Sequence, residues 1–223
     1  KMNAQKPVIA IDGPAGAGKS TIAKLVAGKL GYIYIDTGAM YRSVAWKFLQ
    51  SGEAFSPELA EKLARNMVIT FKPEASVNRV FVDGTEVTDA IRSPEVTAIV
   101  SKVSAVGGVR EEMVNQQRRM GEAGGVVMDG RDIGTVVFPH AQVKIFLTAS
   151  VKERAMRRYK EMLAKGEQVD LAELEQQIAE RDRQDSEREI SPLKKADDAE
   201  FLDTSDMTID KVAEHILQKV QEK

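Results

Sequence analysis

A β-branched run, Val8-Ile9-Ala10-Ile11, leads directly into Asp12-Gly13-Pro14-Ala15-Gly16-Ala17-Gly18-Lys19-Ser20-Thr21, and this junction constrains the fold more than any other part of the chain. Gly13, Gly18, Lys19 and Ser20 satisfy G-x-x-x-x-G-K-[ST]. The stretch Thr21 to Leu30 then carries Ile22, Leu25, Val26 and Leu30 at helical spacing until Gly31 stops it. Strand, glycine loop and helix thus follow in the order that such a loop requires. Glycines let the backbone turn so that several N–H groups converge on phosphate oxygens, and the helix N-terminus adds partial positive charge. Residues 13–21 are therefore the expected cradle for the phosphates of ATP, with Lys19 reaching the β- and γ-phosphates and the Ser20 hydroxyl ligating Mg²⁺.

The rest of the chain alternates strands and helices. Tyr32 to Ile35 reads as a strand entering a helix that carries Met40, Val44, Ala45 and Phe48 at helical spacing, where Trp46 and Phe48 read as core. Ser56-Pro57 and Ser93-Pro94 each place a capping residue before a proline at the first helical position. Between them the period changes: Met67 to Phe71 and Arg79 to Val82 read as short strands, and Asp83-Gly84 is a two-residue hairpin signal into Thr85-Glu86-Val87. Val109 to Ala123 reads as a helix. Gly125 to Asp129 and Val143 to Leu147 read as buried strands, and Met207 to Ile209 as the last one. This pattern predicts an α/β fold, a doubly wound parallel sheet of about five strands with a small antiparallel insert.

Both phosphate-relevant loops, 12–21 and 129–134, leave strands at the same expected sheet edge, so Asp129 is either a partner for Mg²⁺-bound water or a structural carboxylate holding its turn. Ser150 with Glu153 caps a helix that Gly166 would end, and a second helix starts at Asp170. Apolar residues are sparse from 152 to 189, whereas Arg154, Arg157, Arg158, Arg181 and Arg188 are not, which predicts a mobile helical lid.

Composition removes several alternatives. Lys and Arg number 32 against 34 acidic residues, a net charge of −2, so a bulk cationic nucleic-acid binder is excluded. With no cysteine and only His140 and His215, there is no thiolate or histidine-rich metal centre. His140, after Pro139, reads as a turn residue. No stretch reaches transmembrane length, and the reading is a cytoplasmic monomer without membrane or nucleic-acid partners. Lys1 ahead of Met2 reads as an expression remnant. No Asp has Gly three residues later and no Asn precedes Lys, so the guanine-reading and γ-phosphate-sensing motifs of a switch GTPase are missing, as is the L-S-G-G-Q of a transporter ATPase. A small phosphotransferase remains. An arginine-rich chain suits an acceptor that is itself a phosphate: the nucleophile is already ionised, and catalysis reduces to neutralising and aligning two anions. An alcohol acceptor would need a general base, for which Asp36 is the candidate, and a nucleotide-dependent regulatory module is the non-enzyme alternative.

The residues also carry a resemblance. The glycine loop, the segment Asp36-Thr37-Gly38-Ala39-Met40-Tyr41-Arg42, the segment Asp129-Gly130-Arg131-Asp132-Ile133-Gly134-Thr135-Val136-Val137-Phe138-Pro139, and Glu180-Arg181-Asp182-Arg183-Gln184-Asp185 with Arg188 and Pro192-Leu193 resemble the bacterial cytidylate kinases, in order and over nearly the whole chain. The antiparallel sheet between about 67 and 88 is similar to that family's insert. The resemblance implies transfer of the γ-phosphoryl group of ATP to CMP or dCMP with Mg²⁺. It implies a single P-loop kinase unit whose core spans about 1–36, 106–150 and 190–223, an acceptor-binding insert at about 37–105 and a lid at about 151–189. By the same resemblance Arg42, Arg131 and Arg188 hold the acceptor phosphate. Ser101, Arg110 and Asp132 read cytosine, Arg181 and Asp185 meet the sugar, and Asp36, Thr37, Tyr41 and Asp129 complete the acceptor side. Lys19, Arg131, Arg157, Arg158 and Arg188 would be catalytic, with the lid arginine that reaches the phosphoryl group left open. Without the resemblance, Ser101 and Arg110 read as helix surface.

Overall fold

The computed structural model describes residues 5–73 and 78–223, so Lys1 lies outside the described residues. In chain order the elements are β1 (Val8–Asp12), α1 (Lys19–Leu30), β2 (Ile33–Asp36), α2 (Thr37–Gln50) and α3 (Pro57–Arg65). Next come β3 (Ile69–Pro73), β4 (Asn78–Val82), β5 (Thr85–Glu86), α4 (Pro94–Ser104), α5 (Gly107–Gly121) and β6 (Val126–Gly130). β7 (Val143–Thr148), α6 (Val151–Ala164), α7 (Leu171–Glu187), β8 (Glu200–Asp203) and α8 (Ile209–Gln221) complete the chain.

One five-stranded sheet has the order β2-β6-β1-β7-β8, and every pair in it is parallel. β1 is central and buried on both faces. Ile9 and Ile11 pack on Ile22 and Val26 of α1 and on Val212 and Ile216 of α8, while Val8 and Ala10 belong to the opposite core with Met40 and Val44 of α2 and Met113 of α5. Full burial of each such isoleucine contributes roughly 1.5–3 kcal/mol, so the alternation along β1 is what fixes the register of the sheet. A second sheet, β3-β4-β5, is antiparallel and turns at Asp83-Gly84, both at positive φ. The doubly wound sheet and the antiparallel insert are those the sequence predicts.

The helix caps follow the sequence signals. Ser56 accepts from Leu59 N, Ser93 from Val96 N, Ser150 from Glu153 N, and Asp170 from Ala172 N and Glu173 N. The last strand is a correction. It lies at Glu200–Asp203, not at Met207–Ile209. Thr208 is an N-cap whose hydroxyl accepts from Lys211 N, so Ile209 begins a helix. Between β6 and β7 the chain makes one π-helical turn, Ile133–Val137, that the β-branched sequence there does not announce. The helical hairpin α6–α7 has its own small core of Ala155, Leu174 and Ile178, in keeping with its sparse apolar content.

Candidate active site

The loop after β1 takes its shape from positions where a side chain has no room or no favourable φ. Gly16 and Gly18 have φ of 78° and 89°, in the left-handed region, and a Cβ on Gly13 would stand 2.1 Å from Leu147 O of the neighbouring strand. Gly13 N donates to Gly130 O at 3.2 Å, which ties the loop to the end of β6. Lys19 is buried, and its Nζ donates to Pro14 O at 2.8 Å across the loop. Ser20 and Thr21 are exposed in the first turn of α1, with no acidic side chain there to compete for an anion.

Asp129 ends β6 one strand away. Its Oδ2 accepts from the Tyr34 hydroxyl at 3.2 Å, its Oδ1 is buried with no partner, and its carbonyl accepts from Thr37 Oγ1 at 2.6 Å. Burial, with Asp36 nearby, pushes the Asp129 carboxyl well up, while burial and the Arg131 charge push the Lys19 ammonium down. An orphaned carboxylate oxygen at the mouth of a phosphate-type loop fits a hard cation's water shell, since Mg²⁺ is commonly held by one or two oxygen ligands plus the phosphates it serves. Asp36 caps α2 through Ala39 N at 3.1 Å and pairs with Arg92 at 3.6 Å.

The opposite side of the cleft is made of arginines. Asp185, buried on α7, takes Arg131 on Oδ2 at 3.1 Å and Arg181 on Oδ1 at 3.0 Å, with Arg188 at 3.6 Å. Burial alone would raise the Asp185 carboxyl, but the three guanidinium groups outweigh it and hold it low. Arg188 also donates to Ser191 O, and its buried Nη2 is unpartnered. Arg42 donates to Ile91 O and Thr97 Oγ1. Burial together with neighbouring cations brings both Arg42 and Arg188 down to about 10. Positive charge is thus concentrated beyond what Asp185 neutralises, which is the electrostatic signature of a site for a further anion.

Deeper in, Arg110 and Asp132 form a buried ion pair at 2.9 Å, with Arg110 Nη1 donating to Ser104 O at 2.9 Å and the guanidinium 4.6 Å above the Tyr41 ring. Two residues that sequence reading passed over fix this region. Asp12, at the end of β1, accepts from Ile133 N at 2.9 Å and Gly134 N at 2.8 Å, and Arg118 donates to Val136 O and Val137 O. Together they clamp both ends of the π-turn that presents Asp132. The only sequence signal for Asp12 is a carboxylate at a strand end immediately before the glycine loop. Arg92, half of the pair with Asp36, was also missed, having no motif of its own.

These sides enclose one cleft of about 780 Å³, lined by Gly16, Lys19, Ser20, Arg42, Arg110, Arg131, Asp132, Arg158, Arg181 and Arg188. Ser101 is half-buried on α4 and is not among its lining residues, whereas Val100 and Ser104 are. The three arginines of α6 separate. Arg154 is buried and donates to Ala149 O, Ala15 O and both oxygens of Asp182, so it pins α6 to the loop. Arg157 donates to Thr204 O and Oγ1. Arg158 is exposed on the cleft, and among the described residues no hydrogen bond or ion pair holds it.

The sequence matches the Cytidylate kinase family over residues 9–222. It is 52% identical over 220 residues to a cytidylate kinase of Ligilactobacillus salivarius, spanning 98% of each chain. With a cytidylate kinase of Bacillus subtilis it shares 54% over 223 residues, again 98% of each. In fold it is similar to the crystal structure of an uncharacterized protein from Eubacterium ventriosum, with a TM-score of 0.52 at 12% identity, covering 98% of this chain and 100% of that one.

Proposed function

The chain belongs to the cytidylate kinase family, and from that premise we propose how its residues divide the work. It is an ATP-dependent nucleoside monophosphate kinase that transfers the γ-phosphoryl group of ATP to CMP or dCMP, giving CDP or dCDP and ADP. A phosphate oxygen of the acceptor forms the new bond to the γ-phosphorus as the bond to the bridging oxygen of ADP breaks. That acceptor oxygen is ionised near neutral pH, so the chain's task is positioning and charge stabilisation.

The loop of residues 13–21 holds the ATP phosphates through its backbone N–H groups and Lys19. Arg42, Arg131 and Arg188 hold the acceptor phosphate, Arg181 and Asp185 meet the sugar, and Arg110 and Asp132 read the base. Mg²⁺ would be held by the Ser20 hydroxyl, with the free Asp129 Oδ1 receiving one of its waters. Its chemistry there is neutralisation of the β- and γ-phosphate charge. Of the lid arginines, Arg158 is the one left free to meet the transferring group, since Arg154 and Arg157 are already engaged. Closure of the lid, 151–189, over both substrates would exclude water and limit hydrolysis of ATP.

One observation carries this reading. A phosphate-type loop and a crowd of arginines face each other across one cleft, with a single carboxylate, Asp185, drawing three of those arginines. An alcohol acceptor is disfavoured because Asp36, the candidate base, is engaged as a helix cap and by Arg92. Among the described residues no helix is long and apolar enough to cross a membrane. A coupled assay of ADP release across CMP, dCMP, UMP and AMP tests the assignment. CMP and dCMP should exceed the others by about a hundredfold in kcat/KM, because uracil would leave the Arg110 and Asp132 groups unpaired or repelled. Comparable rates with UMP would remove the base-reading assignment.

A further inference from the structure

Gln117 lies on α5 two turns after Arg110, with no exposed surface, and among the described residues neither its amide oxygen nor its amide nitrogen makes a hydrogen bond. A buried amide in that condition has given up water for nothing, and Met would fill the same space without the penalty. Two nearby groups share the condition: the Tyr41 hydroxyl and Arg110 Nε. The three are neighbours. The Tyr41 ring lies 4.6 Å beneath the Arg110 guanidinium, and the Gln117 amide stands beside the Tyr41 hydroxyl, close enough to act on its ionisation. Residues seven apart share a helix stripe, so Tyr41, reaching in from α2, spans the gap between Arg110 and Gln117.

Arg110 is fixed within its guanidinium plane by Ser104 O and Asp132. The Tyr41 ring lies against the face of that plane and sets the direction perpendicular to it. A ring held at one end by its backbone is steadied by whatever holds its other end, and that end is the hydroxyl beside Gln117. The hydroxyl can donate to Oε1 or accept from Nε2 after a small rotation.

We propose that Gln117 is a positioning residue for acceptor-base choice: through the Tyr41 hydroxyl it sets the ring on which Arg110 lies, and so the presentation of the Arg110–Asp132 pair to the base. This rests on Arg110 and Asp132 being the base readers. Cytosine and uracil exchange a donor and an acceptor on adjacent edge positions, so tilting the guanidinium harms the matched base more than the mismatched one.

The test uses the full chain. Gln117→Met keeps the volume and removes both polar atoms, and Tyr41→Phe removes only the hydroxyl. The readouts are kcat/KM for CMP and for UMP, the KM for ATP, and the thermal midpoint. Gln117→Met should lower the CMP-to-UMP ratio about fivefold, chiefly through the KM for CMP. Tyr41→Phe should match it, and the double variant should do no more than either alone. The KM for ATP should stay put. A merely structural Gln117 would leave the ratio alone, whatever it does to the midpoint. A wild-type ratio in both single variants, or full additivity in the double, overturns the proposal. Asp132→Ala separates the two claims. If it collapses the ratio while Gln117→Met does not, the base reading stands and the positioning role falls. If it leaves the ratio intact, the base reading fails and the positioning role goes with it.

Discussion

The side of the cleft proposed for the phosphate donor is consecutive backbone, residues 13–21, whereas the side proposed for the acceptor is scattered side chains. Arg42 comes from α2, Arg110 from α5, Arg131 and Asp132 from the turn after β6, Arg181 and Asp185 from α7, and Arg188 from just beyond it. The donor loop is held by conformation: glycines at positive φ, and a close approach at Gly13 that admits no side chain. The acceptor side is held by charge, with Asp185 and Asp132 restraining arginines that would otherwise repel one another. A backbone cradle is pre-organised whatever its ligand, so damage to its lysine should fall on catalysis. An ion-paired cradle serves stability as well as binding, so damage there should fall on both.

The sharpest way to break this contrast is Lys19→Met. The loop keeps its backbone shape, and only the cation proposed to meet the transferring group is lost. Charge stabilisation at a transferring phosphoryl is usually the dominant catalytic contribution, so kcat should drop by about a hundredfold or more. Burial of the unliganded Lys19 ammonium is itself unfavourable, so the thermal midpoint should hold or rise. A folded variant with near-normal turnover would take the loop out of the mechanism.

Asp185→Asn probes the other side. It removes the charge that three arginines share while keeping the side-chain volume. Breaking a buried pair by deleting one partner costs about 3 kcal/mol or more, and partial exposure of these arginines brings the expected loss to about 2 kcal/mol. Urea unfolding would read it as a lower midpoint at unchanged slope. The KM for CMP should rise in the same variant. An unchanged midpoint would mean that the arginines are not held by charge.

This asymmetry also explains what could be read from the chain alone. The donor loop is legible because its determinants are contiguous and each has a local physical reason. The acceptor side is not: Arg131 meets Asp185 and Arg110 meets Asp132 only once the sheet and lid are folded, and nothing in their sequence neighbourhoods records the partner. Without the family resemblance, Arg110 passes for a surface charge, though it is 3% exposed. The π-turn at 133–137 is set by the Asp12 and Arg118 clamps, a tertiary effect that overrides the strand preference of Ile133, Val136 and Val137. The last strand lies before Met207-Thr208-Ile209 because the Thr208 hydroxyl caps a helix that begins at Ile209. Arg154 illustrates a further limit: composition marks it as a lid arginine, but only its bonds to Ala15 O and Asp182 make it an anchor.

The two sides should also differ in the sign of their pH dependence. Asp12 beside the glycine loop accepts from two backbone amides, and burial lifts its carboxyl to about 6 from an ordinary 3.8. The folded chain therefore holds this proton more tightly than the unfolded one. Its contribution to stability is fully present below pH of about 4 and is lost as pH rises through about 6. Asp185 is held low, so its contribution is present above the ordinary carboxylate range and is lost on acidification. Between pH 5 and 6 the wild-type chain should lose about 1 kcal/mol relative to Asp12→Asn, within the limit of about 1.4 kcal/mol per pH unit for one proton. Urea titrations at the two pH values would show it, and parallel curves would mean that Asp12 is ionised in the folded state throughout.

The smallest expected effect sharpens the comparison within a single helix. On α7, Arg181 lines the cleft and pairs with the buried Asp185, with Arg188 just beyond the helix end, while Arg183 lies on the solvent side between Glu180 and Glu187. By distance alone, Arg183 is as well paired as its neighbours, since it meets carboxylates three residues before and four after it. Its side chain is 56% exposed, however, whereas Asp185 is 4% exposed. Water screens the outer pairs and supplies an almost equal alternative partner, while nothing replaces Asp185 within the fold. Arg183→Ala should therefore leave both the thermal midpoint and kcat/KM for CMP within experimental error, at low salt as well as high. Arg181→Ala, two residues away, should raise the KM for CMP. If Arg183→Ala were as costly as Asp185→Asn, proximity to carboxylates rather than burial would govern this helix, and the electrostatic account of the acceptor side would have to be abandoned.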